Sequence, residues 1–112
     1  MLQPCEHLPI LLVEDDPLIA LDAEDILASA GFRCLLAHDT QAAQALLEEH
    51  EIRAAILDYD LRDETSLGIA EHAHCSNIPY AFVTGRNRAE IIGRAPDPVA
   101  ILSKPVDYAD VA

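Results

Sequence analysis

Five short apolar runs, spaced by amphipathic stretches, constrain the fold of this chain more than any other feature. They are PILLV (9–13), FRCLLA (32–37), AAIL (54–57), YAFV (80–83) and VAIL (99–102). Most are nearly continuous in apolar residues, as strands are when both faces of a parallel sheet are covered. The run PLIALDAEDILASA (17–30) between the first two predicts a helix, with Asp16 as N-cap, Pro17 at the first helical position and Gly31 just past the end. Its expected inward stripe is Ile19, Ala23, Ile26, Leu27 and Ala30, which leaves Leu18 and Leu21 outside it. TQAAQALLEEH (40–50) predicts a second helix with Ala43, Leu46 and Leu47 inward, and SLGIAEHAHC (66–75) a weaker third. NRAEIIGR (87–94) is a short fourth, stopped by APDP. After the fifth run only DYADVA remains, so the expected fifth helix is either truncated to about a turn or continues past the given sequence. Strand and helix alternate throughout, so the expected fold class is α/β, a doubly wound five-stranded parallel sheet with helices on both faces.

At 112 residues the chain is expected to form one domain, 1–112, with the C-terminal end cut short. Twenty acidic residues against seven basic ones give a net charge of −13. Such a chain has no basic patch for nucleic acid and is repelled by an anionic membrane surface. No apolar run approaches the ~20 residues of a membrane span. The opening MLQPCEHLP lacks the basic and long apolar regions of a signal peptide, so a cytoplasmic location is expected. Three cysteines, at 5, 34 and 75, form no C-x-x-C and read as reduced thiols.

In a parallel sheet of this kind the functional edge is the carboxyl ends of the strands. The first strand ends in Glu14, Asp15 and Asp16, the third in Asp58 with Asp60 beyond it. The fourth ends in Thr84 and Gly85, the fifth in Ser103 and Lys104. Lys104 is the single lysine of the chain. Carboxylates held close repel one another, which raises their pKa values or recruits a cation. Hard oxygen ligands with room for water suit Mg²⁺, which takes one or two carboxylates plus phosphate oxygens. Asp58 at the end of an apolar strand is then the natural nucleophile, with Thr84 and Lys104 placed to meet phosphoryl oxygens.

The motifs ILLVEDDP, AAILDYDL, AFVTGR and ILSKPVD, in that order at strand ends, resemble the receiver domain of two-component response regulators. The resemblance spans nearly the whole chain and implies a flavodoxin-like sheet of strand order 2-1-3-4-5. It implies that Asp58 is phosphorylated and that Asp15 and Asp58 bind Mg²⁺. Glu14 would help and the Asp60 backbone carbonyl would complete the set. Thr84 and Lys104 would contact the phosphoryl group. The implied partner is a histidine kinase or histidine phosphotransfer protein, with a homodimer as a further option, and output runs through protein–protein contacts. Where many receivers carry a switch aromatic, three positions before the lysine, this chain has Ile101. With the short fourth helix, that resembles an atypical subgroup in which this helix is degraded. The Lys104–Pro105 bond is expected to be cis.

Two other functions compete. A phosphorylation-independent pseudo-receiver would bind partners without taking phosphate. A haloacid-dehalogenase-like phosphatase would use the D-x-D of Asp58 and Asp60, but Arg62 stands where that family places threonine or valine. The receiver reading expects no enzyme beyond self-phosphorylation and autodephosphorylation. His72, His74 and Cys75 form no expected metal set, because residues 72 and 74 do not share a helix face.

Overall fold

A computed structural model describes residues 8–61, 64–85, 98 and 100–103. The expected helix over 87–94, the last helical turn, Lys104 and the Lys104–Pro105 bond lie outside the described residues.

Five parallel strands build one sheet: β1 (Ile10–Val13), β2 (Cys34–Ala37), β3 (Ala54–Asp58), β6 (Tyr80–Thr84) and β7 (Ala100–Ser103). Their spatial order is β2-β1-β3-β6-β7, the doubly wound order expected. Helices α1 (Pro17–Ser29), α2 (Thr40–Glu49) and α3 (Leu67–Cys75) connect them. A two-stranded antiparallel ribbon, β4 (Asp60–Leu61) and β5 (Glu64–Thr65), follows β3, which the apolar pattern did not anticipate.

Both faces of the sheet are covered, which explains the continuous apolar runs. On one face Ile10, Leu12, Ile56 and Val83 pack with Ala23 and Leu27 of α1. On the other, Leu11, Val13, Leu57 and Phe82 pack with Ala43 and Leu47 of α2 and Ile69, Ala70 and Ala73 of α3. Successive residues of β1 therefore serve opposite cores, as the two-residue period of a strand requires.

Helix α1 begins as expected. The Asp16 carboxylate accepts the N–H of Leu18 at 3.0 Å and of Ile19 at 3.4 Å, and Pro17 follows. Gly31, at φ +94°, takes the left-handed conformation that ends the helix. Its buried face differs from the expected stripe. Ala20, Ala23 and Leu27 face inward, Ile26 is partly buried, and Ile19 and Ala30 are exposed. The inward Ala20 and Ala23 are small, and Leu18 and Leu21 are left 77% and 56% exposed. In α2, Ala43 and Leu47 are buried and Leu46 packs against the core, as the pattern indicated.

Candidate functional site

The strand order reverses direction at β1, whose neighbours are β2 and β3. Connections leave that point toward opposite faces, opening a crevice at the carboxyl ends of β1 and β3. Val13 pairs with Leu57 there, so Glu14 and Asp15 emerge beside Asp58. Each offers a carboxylate oxygen, and these atoms lie within 4.8 Å of one another. Among the described residues this is the one group of His, Cys, Asp or Glu placed to share a cation. His72 and His74 join no such group. His72 Nδ1 instead contacts the side-chain oxygen of Gln44 on α2, and His74 is exposed.

The cluster is half sunk into the fold. Glu14 is 1% and Asp58 5% exposed, while Asp15 is half-buried. The backbone beneath Glu14 is held on two sides: its N–H donates to the Ala37 carbonyl at 3.0 Å, and its carbonyl accepts from His38 Nδ1 at 3.1 Å. One carboxylate oxygen of Glu14 also accepts the Asp16 N–H at 3.3 Å. After Asp58 the Tyr59 ring turns inward, 2% exposed, with its centroid 5.5 Å from that of Phe82 in an edge-to-face contact. The Tyr59 N–H donates to the Val83 carbonyl, and its own carbonyl accepts from Ser66, both at 3.0 Å. These bonds fix the direction in which the chain leaves Asp58.

Thr84 is fully buried at the end of β6, one residue beyond Val83, which pairs with Asp58. On its other side Thr84 pairs with Ser103 of β7. Glu14, Asp15, Asp58 and Thr84 thus lie along one rim, as the strand ends implied, and Asp60 begins the ribbon directly above it. Lys104 follows Ser103 in sequence but lies outside the described residues. The reading of strand ends overlooked Tyr59 and Glu64. Tyr59 carried a visible signal, an aromatic residue directly after an apolar strand. Glu64 carried none, because its partner, Thr40, is 24 residues away.

The residues present fit Mg²⁺. All three side-chain donors are carboxylate oxygens, the ligand type that this ion prefers. Neighbouring ligands of an octahedral ion with bonds of 2.0–2.1 Å stand about 3 Å apart, so small side-chain rotations close the observed spacing. Asp15, half-buried, is the most exposed of the three donors.

No family model matches the chain. The phyllosphere-induced regulator PhyR of Methylorubrum extorquens is 25% identical over 107 residues, covering 92% of this chain and 40% of that protein. The chain therefore spans about two fifths of the relative's length. A CheY-like receiver domain protein from Methanospirillum hungatei is 27% identical, with a TM-score of 0.79 over 92% of this chain and 86% of that one. A response regulator receiver protein from Sinorhizobium medicae is 26% identical, with a TM-score of 0.82 over 95% and 89%. Response regulator TrrA of Thermotoga maritima, solved in complex with Mg²⁺–BeF, shares the fold at 18% identity and a TM-score of 0.77 over 92% and 91%. Strand order, rim and these likenesses together show a chain with the fold of CheY-like response regulator receiver domains and similar to them in sequence.

Proposed function

We propose that the chain is a phosphoacceptor signalling module in which Asp58 takes a phosphoryl group in a Mg²⁺-dependent reaction. The observation that carries this reading is the buried Asp58 carboxylate at the strand-order reversal, grouped with Glu14 and Asp15. A carboxylate oxygen of Asp58 attacks phosphorus, and the bond from phosphorus to the donor breaks. For a phosphohistidine donor the P–N bond breaks and the imidazole leaves with the electron pair, taking up a proton. Mg²⁺, when bound, offsets the negative charge on the transferring group. Glu14 and Asp15 would hold the ion with Asp58, and the Asp60 carbonyl would supply a further oxygen. The Thr84 hydroxyl donates to a phosphoryl oxygen, and Lys104 provides the compensating cation. The chain turns over no other substrate in this reading, and it works in the cytoplasm.

The donor is a histidine kinase or histidine phosphotransfer protein. Its docking surface is the outer face of α1, where Leu18 and Leu21 stand exposed beside the acidic rim. A partner seated there brings its histidine in line with Asp58, and positioning of that kind is most of phosphoryl-transfer catalysis. Output runs through protein–protein contact. Changing Leu18 and Leu21 to Asp slows transfer from the kinase and leaves labelling by acetyl phosphate intact. Equal loss in both reactions, or in neither, contradicts docking on α1.

Beryllofluoride with Mg²⁺ tests the site itself. Amide resonances of Glu14, Asp15 and Asp58 are expected to shift with Mg²⁺ alone, and that of Thr84 to shift with them once beryllofluoride is also present. An unchanged spectrum contradicts the reading.

A further inference from the structure

The ribbon that follows Asp58 is tied to another part of the fold. Glu64 Oε1 accepts the Thr40 N–H at 2.9 Å and the Thr40 hydroxyl at 2.7 Å. Thr40 opens α2, and that helix already has a cap, since the Asp39 carboxylate accepts the Ala42 N–H at 2.8 Å. The clasp is therefore not needed merely to start the helix. The ribbon, by contrast, needs support. It contains two residue pairs, Asp60 with Thr65 and Leu61 with Glu64. Two strands of that length do not hold themselves together in water. Leu61 is buried below and Glu64 reaches to α2, so the ribbon has an apolar anchor and a polar one. Asp60 lies directly opposite Thr65 and is one residue before Leu61, which faces Glu64.

We propose that Glu64 is a positioning residue for the phosphoacceptor site: its clasp on Thr40 fixes the ribbon, and with it the Asp60 carbonyl. This rests on the reading that the rim takes Mg²⁺. Outer-shell contacts orient the atoms that meet a metal and change affinity without touching it. A ribbon already clasped leaves less to be ordered when the ion binds. The coupling is reciprocal, so Mg²⁺ also tightens the clasp.

Mg²⁺ affinity of the whole chain, measured by calorimetric titration, tests this. Glu64→Ala and Thr40→Val are each expected to weaken binding about fivefold, the equivalent of losing one cap-type contact. Glu64→Gln and Thr40→Ser keep the acceptor and the hydroxyl and are expected to stay within about twofold of the original. Glu48→Ala removes the same charge from an exposed position of α2 and is also expected to stay within about twofold. The Asp60 amide resonance should move in the two weakened variants while those of β1 stay in place. Unchanged affinity in either Glu64→Ala or Thr40→Val overturns the proposal and leaves the Mg²⁺ reading standing. Equal weakening by Glu64→Gln and Glu64→Ala makes the effect one of charge and also overturns it. Absence of Mg²⁺ binding in the unsubstituted chain overturns the site reading, and the positioning role with it.

Discussion

Helices α1 and α2 flank the same sheet on opposite faces, and they end in opposite relations to the rest of the molecule. Helix α1 meets the sheet through Ala20, Ala23 and Leu27 and presents Leu18 and Leu21 to solvent. Among the described residues no hydrogen bond joins its outer face to another element. Helix α2 also buries a narrow face, Ala43 and Leu47, but its flank is stitched to its surroundings. Thr40 is held by Glu64 of the ribbon, and Gln44 contacts both the Gly68 carbonyl and His72 on α3. The difference teaches that the two sides of the rim have different work. The α1 side is an open apolar surface suited to a transient partner. The α2 side is a polar brace on the segment that leaves Asp58.

The largest test of this contrast lies within α1. Leu27→Ala removes a fully buried side chain from the inner face and is expected to destabilise the fold by about 2–5 kcal/mol. Chemical denaturation measures it, and a loss below about 1 kcal/mol would mean that α1 is not anchored through that residue. Next in size, Mg²⁺ at ten times its dissociation constant is expected to stabilise the chain by about 1.4 kcal/mol, seen as a higher melting temperature. Asp58→Asn should shrink that rise, and an equal rise in both forms contradicts binding at the rim.

On the α2 side, Asp39→Ala removes the cap and is expected to cost about 1 kcal/mol in the same denaturation assay. Leu18→Ser and Leu21→Ser on the outer face of α1 are expected to stay within about 0.5 kcal/mol of the original. A larger loss would show that the patch belongs to the core. The smallest effect concerns Cys34 on β2, which packs against the α1 face. Burial, and secondarily the Glu24 carboxylate on α1, push its thiol up to about 11 from 9.0. The folded state then holds the proton more tightly than the unfolded chain. The resulting stability is present below about 9 and is lost as pH rises toward about 11. Near neutral pH an alkylating agent should modify exposed Cys75 well before Cys34.

The sequence revealed the sheet because both of its faces are buried. Continuous runs such as ILLV and AAIL have few other uses in a chain this size, and Asp16, Pro17 and Gly31 marked the limits of α1. The rim was legible for the same reason, since a strand end fixes where the next residue must lie. The facing of α1 was not. Leu18, Ile19, Ala20 and Leu21 are four apolar residues in a row, and hydrophobicity alone cannot choose among them. Tertiary packing buries the small Ala20 and turns the larger Ile19 outward. The ribbon was hidden because Asp60, Glu64 and Thr65 carry no apolar alternation. Its anchor joins residues far apart in sequence.

The most direct measurement is the intact mass of the chain after incubation with acetyl phosphate, with and without Mg²⁺. One added phosphoryl group is expected on the unsubstituted chain with Mg²⁺, little without it, and none on Asp58→Asn under either condition. An unmodified unsubstituted chain, or a phosphorylated Asp58→Asn, would contradict Asp58 as the phosphoacceptor.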